Sequence, residues 1–225
     1  MKKLVWKIPV WFLSTTFFLV LLLRFLPIYV TPLMIVRVVE AMFDENREVH
    51  IEKTWVPIED ISSKMARAAI AGEDDLFLDH YGFSIKGIRK AYEDNKKGKR
   101  LKGGSTISQQ TAKNVFTSGS RTWIRKGVET YFTVLIELAW GKERIMEVYL
   151  NVVELGDGIY GVEAASQHYF KKPAAKLNSS QAALLAAALP SPRRYSVTNP
   201  GPYMRRRQAQ ILWMMRMLPN IDWYN

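Results

Sequence analysis

The sequence predicts a mainly α-helical domain preceded by one N-terminal transmembrane helix. Three observations lead to this fold class: a long apolar segment follows Lys2, Lys3 and Lys7, apolar residues recur at helical spacing through most of the remaining chain, and alternating strand patterns are few. With 225 residues, the chain can hold one domain with a sizeable core in addition to an anchor.

The apolar segment at residues 5–30 would be about 39 Å long as a helix, which is enough to cross a bilayer with some tilt. The three lysines predict that residues 1–4 stay in the cytoplasm and that the domain lies outside it. A cleaved signal peptide is the alternative, but no small-residue cleavage site follows the apolar segment. We therefore expect an uncleaved anchor.

Residues 31–58 have mixed composition and are predicted to form a juxtamembrane connector, and residues 59–225 are predicted to form the domain. Apolar spacing predicts a helix from an Asp60 cap to Gly72, one after a Ser84 cap with Ile85, Ile88 and Tyr92, one after a Ser105 cap, a long one from Thr122 to Trp140, one opened by Ser180, and a last one carrying Met204, Ile211 and Met215.

Charge and composition limit the chemistry. The net charge of +11 and the pI of about 9.8 favour anionic partners such as phospholipid headgroups, phosphorylated substrates and nucleic acid, and the predicted location outside the cytoplasm excludes nucleic acid. The absence of cysteine excludes disulfides, thiolate metal sites and thiol nucleophiles. Three scattered histidines do not suggest a histidine metal site.

The first candidate site is the acid cluster in "AGEDDLFLDHYG". Glu73 follows Gly72 directly, so a tight turn would aim its carboxylate, and the apolar neighbours Leu76 and Phe77 could raise its pKa toward that of a working base. The competing interpretation is an ordinary acidic patch at a helix end.

The second candidate is "GGSTISQQTAK". Ser105 and Thr106 would open a helix whose free N–H groups suit phosphate, and Gln109, Gln110 and Lys113 would lie close together on its surface. A capped surface helix is the alternative.

The third candidate is "RTWIRKGVE", in which Arg121, Arg125 and Glu129 are spaced by four and form one polar stripe. A salt-bridge ladder on the helix surface explains this spacing equally well. Together with Lys113, however, the two arginines could also form a clamp for a diphosphate.

In this order, the segments resemble the peptidoglycan glycosyltransferases, and in particular their stand-alone form. The pattern E-D-x-x-F-x-x-H-x-G is met by Glu73, Asp74, Phe77, His80 and Gly82. G-G-S-T-I-[ST]-Q-Q is met by residues 103–110, and R-K-x-x-E by Arg125, Lys126 and Glu129. K-x-x-I-x-E-x-Y-L-N is met by Lys142, Ile145, Glu147, Tyr149, Leu150 and Asn151, and P-S-P-x-x-Y by Pro190, Ser191, Pro192 and Tyr195.

The resemblance implies a lysozyme-like head with a small membrane-facing jaw in a bacterial inner-membrane protein whose catalytic domain is periplasmic. It implies that lipid II and a growing lipid-linked glycan are the substrates, with membrane phospholipid and division or elongation proteins as further partners. Glu73 would be the general base, and Glu129 would orient the donor or hold a divalent cation such as Mg²⁺ or Mn²⁺. The remaining substrate-binding residues implied are Asp74, Ser105, Thr106, Gln109, Gln110, Lys113, Arg121 and Arg125.

Two other functions remain open at this point. A lytic transglycosylase or muramidase would share the lysozyme-like shape and a catalytic glutamate, but would not need cations suited to a diphosphate. A non-enzymatic membrane scaffold of the division machinery would not need Glu73 and Glu129 together with the glycine-containing motif.

Overall fold

The structure is a computed structural model that describes residues 7–45, 47–85, 87, 89, 93, 96, 104–118, 122–219, 221 and 223. As predicted, it is mainly helical. The helices whose bounds are described are α1 (Lys7–Leu23), α2 (Pro32–Met42), α3 (Ser63–Glu73), α4 (Ile107–Phe116), α5 (Trp123–Ala139), α6 (Lys142–Val152), α7 (Val162–Phe170), α8 (Ser179–Ala188) and α9 (Pro202–Met217). Two 3₁₀ turns, Ile58–Asp60 and Ala174–Lys176, lie between them.

The described strands form one small sheet in the order β1-β3-β2, with β1 (Glu52–Lys53), β2 (Glu154–Gly156) and β3 (Ile159–Tyr160). β2 and β3 are antiparallel, whereas β1 runs parallel to β3. The strand β1 comes from the segment predicted to be a connector, so this segment is hydrogen-bonded into the sheet. Asn151 of α6 fixes the segment further, because its side chain accepts from Val56 N at 3.0 Å and donates to Val56 O at 2.8 Å.

Helix α8 lies at the centre of the domain, packed against α3 and α9. Its alanines are buried, and small side chains let the three helices approach closely. α4 packs in turn against α5 and α6. This arrangement brings the C-terminal end of α3, one face of α4 and the first turns of α5 into one region of the surface.

The apolar N-terminal segment forms α1, which ends at Leu23 and not near residue 30. Pro27 explains the shorter helix, because proline disfavours helical backbone in the residue before it and lacks an N–H donor. Within the described residues, no helix is both long and apolar enough to cross a membrane. α1 also contacts the domain: Thr16 shares a 2.6 Å hydrogen bond with Tyr131, and Trp140 Nε1 donates to Val20 O at 2.8 Å.

The start and end of α3 differ from the prediction. Asp60 belongs to the preceding 3₁₀ turn, and Ser62 occupies the N-cap position without a side-chain hydrogen bond. Gly72 does not end the helix, which continues through Glu73. Gly72 instead lies where α8 and α9 pack closely against α3: a Cβ added to Gly72 would be 3.4 Å from Ile211 Cδ1.

Two other predicted caps are displaced by a residue or two. Thr106, and not Ser105, is the N-cap of α4, and Asn178, and not Ser180, is the N-cap of α8; both form capping boxes with the glutamine three residues later. The Ser84 cap is confirmed, since its Oγ accepts from Gly87 N at 3.0 Å. Ile88 and Tyr92, predicted on the helix that follows, lie outside the described residues.

Candidate active site

Glu73 is the last residue of α3 and is partly buried. Its Oε2 accepts a 2.9 Å hydrogen bond from Gln110 Nε2, and Tyr149 OH donates to Gln110 Oε1 at 3.4 Å. Burial raises the pKa of the Glu73 carboxyl; the Gln110 hydrogen bond and the charge of Arg207 lower it, and Asp74 raises it slightly further. The structure therefore places an aimed carboxylate with an elevated pKa where the sequence predicts a base.

Asp74 holds α3 and α4 together. Its carboxylate accepts from Ile107 N at 3.0 Å, at the N-terminus of α4, and from His80 Nε2 at 2.9 Å. A negative charge is favourable at a helix N-terminus, where backbone N–H groups lack partners. The residue is only 6% exposed. Its carboxylate is thus occupied by partners within the protein, which favours a positioning role over the substrate-binding role implied by the resemblance.

Thr106 and Gln109 are also occupied within the protein. Gln109 Oε1 accepts from Thr106 N at 3.1 Å, and Thr106 Oγ1 accepts from Gln109 N at 3.2 Å and donates to Gly82 O at 2.6 Å. Both side chains are buried. Ser105, just before the cap, is exposed. Of the residues predicted to bind the substrate in this motif, Ser105, Gln110 and Lys113 are therefore the ones whose side chains solvent can reach.

Lys113 lies one turn beyond Gln110 on the same face of α4, since residues three apart are neighbours on a helix surface. It is half-buried, and its Nζ makes no hydrogen bond to another described residue. Burial lowers the pKa of Lys113, while Glu129 opposes this and Arg125 adds to it. A half-buried ammonium near a second cation is well suited to an anionic ligand.

Glu129 is 3% exposed and forms ion pairs with two cationic side chains. Its Oε2 accepts from Arg125 Nη1 at 3.1 Å, and its Oε1 accepts from Lys126 Nζ at 2.6 Å. The predicted salt-bridge ladder is therefore observed between Arg125 and Glu129. Both residues also lie near Lys113, and we call Lys113 and Arg125 together the cationic region. Arg121, predicted as the third member of the ladder, lies outside the described residues.

The Glu129 site does not fit a divalent cation. Mg²⁺ or Mn²⁺ would require free carboxylate or other oxygen ligands, and both Glu129 oxygens face positive charges. Among the described residues, no group of three acidic, histidine or cysteine side chains is placed to hold a metal.

Sequence reasoning missed a second set of charges near Lys113. Arg37 of α2 lies 3.7 Å from Glu154, and Arg193 lies 4.0 Å from the same carboxylate. Both Arg37 and Glu154 act on the pKa of Lys113. These residues come from three distant segments, so no local pattern could have grouped them, although Arg193 lies inside the P-S-P-x-x-Y match.

Comparison with known proteins confirms the resemblance. Residues 40–216 match the transglycosylase family. A biosynthetic peptidoglycan transglycosylase of Bdellovibrio bacteriovorus is 51% identical, with 94% of this chain and 84% of the relative covered. Relatives with the same name are 49% identical in Bacteroides thetaiotaomicron (93% and 84% covered) and 52% identical in Caulobacter vibrioides (85% and 81%). The chain therefore belongs to the transglycosylase family.

Proposed function

We propose that this protein is a peptidoglycan glycosyltransferase that polymerises lipid II into linear β-1,4-linked glycan strands and releases undecaprenyl diphosphate. One observation carries the proposal: a single face of α4 connects a glutamate of raised pKa to a half-buried cationic region. Gln110 contacts Glu73, and Lys113 lies one turn away beside Arg125 and Glu129. Transfer of a glycosyl group from a diphosphate needs a base near the attacking hydroxyl and cations near the leaving diphosphate, and these two groups lie at different places in the site.

In this mechanism, Glu73 takes the proton from the 4-hydroxyl of the GlcNAc of an acceptor lipid II. The freed oxygen attacks C1 of the MurNAc at the reducing end of the lipid-linked chain. The bond between C1 and the diphosphate oxygen breaks, and its electron pair leaves with undecaprenyl diphosphate. Attack opposite the leaving group inverts the configuration and gives the β-1,4 bond.

The environment of Glu73 fits a general base. A carboxylate of ordinary pKa binds a proton too weakly at neutral pH, and burial raises that affinity. The hydrogen bond from Gln110 opposes this increase and holds the carboxylate in one orientation through a half-buried partner.

The cationic region would stabilise the negative charge that develops on the leaving diphosphate. We assign this role to Lys113 and Arg125, and to Arg121 on sequence grounds alone. Glu129 would fix the side chain of Arg125 through their hydrogen bond. Asp74, Thr106 and Gln109 would position α4, whereas Ser105 and Gln110 remain candidates for substrate contact.

We further propose that the domain has a lysozyme-like head and a small jaw that rests on the periplasmic side of the inner membrane, with α1 as part of a single anchor. The apolar composition of residues 5–30 and the lysines before it support this proposal. So does the exposure of large apolar side chains on α1 and at the start of α5, among which Trp123 is 93% exposed.

Polymerisation of labelled lipid II by the detergent-solubilised protein tests the function directly. Wild-type protein should produce a polymer, and Glu73→Gln should lose about 10²–10⁴-fold in rate while remaining folded. Glu59→Gln, which changes an exposed glutamate, is the matched control and should keep full activity. Near-normal polymerisation by a folded Glu73→Gln variant would exclude Glu73 as the base.

The same assay separates synthesis from cleavage. A lytic enzyme would shorten a preformed glycan and leave lipid II unpolymerised. The word "biosynthetic" in the names of the relatives favours synthesis.

A further inference from the structure

Arg207 of α9 extends across to the end of α3 that carries Glu73. Its Nη2 donates to the backbone carbonyl of Gly72, the residue before Glu73. Its Nη1 donates to Gln210 Oε1 at 3.1 Å on its own helix. The guanidinium is thus held at both ends and lies one residue from the candidate base, although it is 134 positions away in sequence.

The local structure explains why a cation lies at this point. The last carbonyls of a helix have no partner within the helix, and positive charge is favourable at its C-terminal end. Gly72 lies in that last turn, and Ile211 of α9 and Ala186 of α8 pack against it. The close packing brings α9 near enough for an arginine side chain to reach the Gly72 carbonyl.

Charged and titratable groups face Glu73 from each neighbouring element. Arg207 of α9 favours its ionised form, and Asp74, which follows it in the chain, opposes ionisation. From α6, the buried hydroxyl of Tyr149 lies behind Gln110. Burial raises the pKa of Tyr149, and the charges of Glu73 and Asp74 raise it further. Arg207 is the cation that acts on the Glu73 carboxyl in this set.

We propose that Arg207 is a positioning residue for the Glu73 carboxylate, acting from the C-terminal helix through its hydrogen bond to the Gly72 carbonyl and through its charge. The proposal rests on the function proposed above for Glu73. In this arrangement, Arg207 touches neither substrate nor reacting atoms. It fixes the last turn of α3 and keeps the base ionised at lower pH than burial alone would allow.

Two substitutions separate the hydrogen bond from the charge. Arg207→Gln keeps an N–H donor and removes the charge, whereas Arg207→Lys keeps the charge and loses the planar fork. The measurement is the rate of lipid II polymerisation between pH 4.5 and 9, together with the melting temperature. We expect Arg207→Gln to move the midpoint of the acid limb up by about 0.5–1 pH unit, which corresponds to about 0.7–1.4 kcal/mol. Arg207→Lys should keep the midpoint and lower the plateau rate.

Arg67→Gln is the matched control, because Arg67 also joins α3 to the C-terminal segment. Its guanidinium donates to Met215 O and Pro219 O at 2.6 Å and to Leu218 O at 3.0 Å, at the other end of α9. Its loss should lower the melting temperature and leave the acid limb unchanged.

An unchanged acid limb in Arg207→Gln, or a loss of rate at every pH that simply follows the melting temperature as in Arg67→Gln, would overturn the proposal. If the wild-type protein itself makes no polymer from lipid II, the proposed function fails, and that outcome is distinct from both.

Discussion

Gly82 joins two parts of the candidate site, and a single methyl group there should disrupt both. Its φ is +80°, in the region that side chains other than glycine rarely adopt, and its carbonyl accepts from the N-cap hydroxyl Thr106 Oγ1. A Cβ added at this position would lie 2.8 Å from Thr133 Cγ2 and 3.1 Å from Glu137 Cγ. The first contact is closer than Cβ atoms show in proteins, and the second is tighter than most. Together with the positive φ, these contacts should make Gly82→Ala shift the backbone that holds the start of α4.

The magnitude follows from these two effects. Left-handed backbone in a residue other than glycine costs about 1–3 kcal/mol, and overpacking costs about 1–3 kcal/mol more. For a domain of this size, the sum lowers the melting temperature by roughly 5–20 °C. Because Gln110 and Lys113 lie on α4, the rate of polymerisation should also fall at temperatures where the variant is still folded.

Gly127→Ala is the matched substitution, and the opposite sign is expected. Gly127 is an exposed residue inside α5, and nothing lies within 4 Å of a Cβ added there. Alanine in a helix interior is about 0.5–1 kcal/mol more favourable than glycine, so this variant should melt slightly higher. Thermal unfolding followed by circular dichroism at one scan rate measures both. Equal melting temperatures for Gly82→Ala and the wild-type protein would refute the reasoning.

Two further substitutions test how the site is held and charged. Asp74→Asn removes the charge at the N-terminus of α4, worth up to about 2 kcal/mol, so it should lower both melting temperature and rate, whereas Asp75→Asn at an exposed neighbour should change neither. Lys113→Met should reduce lipid II polymerisation roughly 30- to 1000-fold without lowering the melting temperature, and the exposed Lys64→Met should keep full rate. Because burial lowers the pKa of Lys113, the wild-type rate should fall on the alkaline side as this ammonium loses its proton.

Apolar periodicity predicted the helices well and their ends less well. The long helix predicted from Thr122 to Trp140 is observed as α5, with those two residues as its caps. Gly72 misled because glycine is common after helix ends, whereas here it provides room for α9. A close approach between two helices that are distant in sequence leaves no local signal.

The sequence identified candidate site residues but not the contacts between them. Gln110 Nε2 donates to Glu73, and Lys113 lies a turn further along α4. Asp74 could not be recognised as a link to α4, because its partner Ile107 N is 33 residues away. Arg207 carries no motif and enters the site only through the packing of α9 on α3. A sequence shows which side chains could react, but their partners depend on packing.

Burial shifts the pKa values of Glu73 and Lys113 in opposite directions, but in both cases the charged side chain makes the folded protein less stable. It raises the pKa of Glu73 and lowers that of Lys113, so in each case it disfavours the charged form that the reaction needs. For Glu73, the folded-state pKa lies above the unfolded one. The resulting stabilisation is complete below the unfolded pKa and is lost as pH rises through the folded pKa. Glu73→Gln should therefore melt higher than the wild-type protein at pH 8, while the two should converge near pH 4. A lower melting temperature for the variant at pH 8 would mean that the hydrogen bond from Gln110 outweighs burial, so that the pKa of Glu73 is not raised and the carboxylate has too little affinity for a proton to be an effective base.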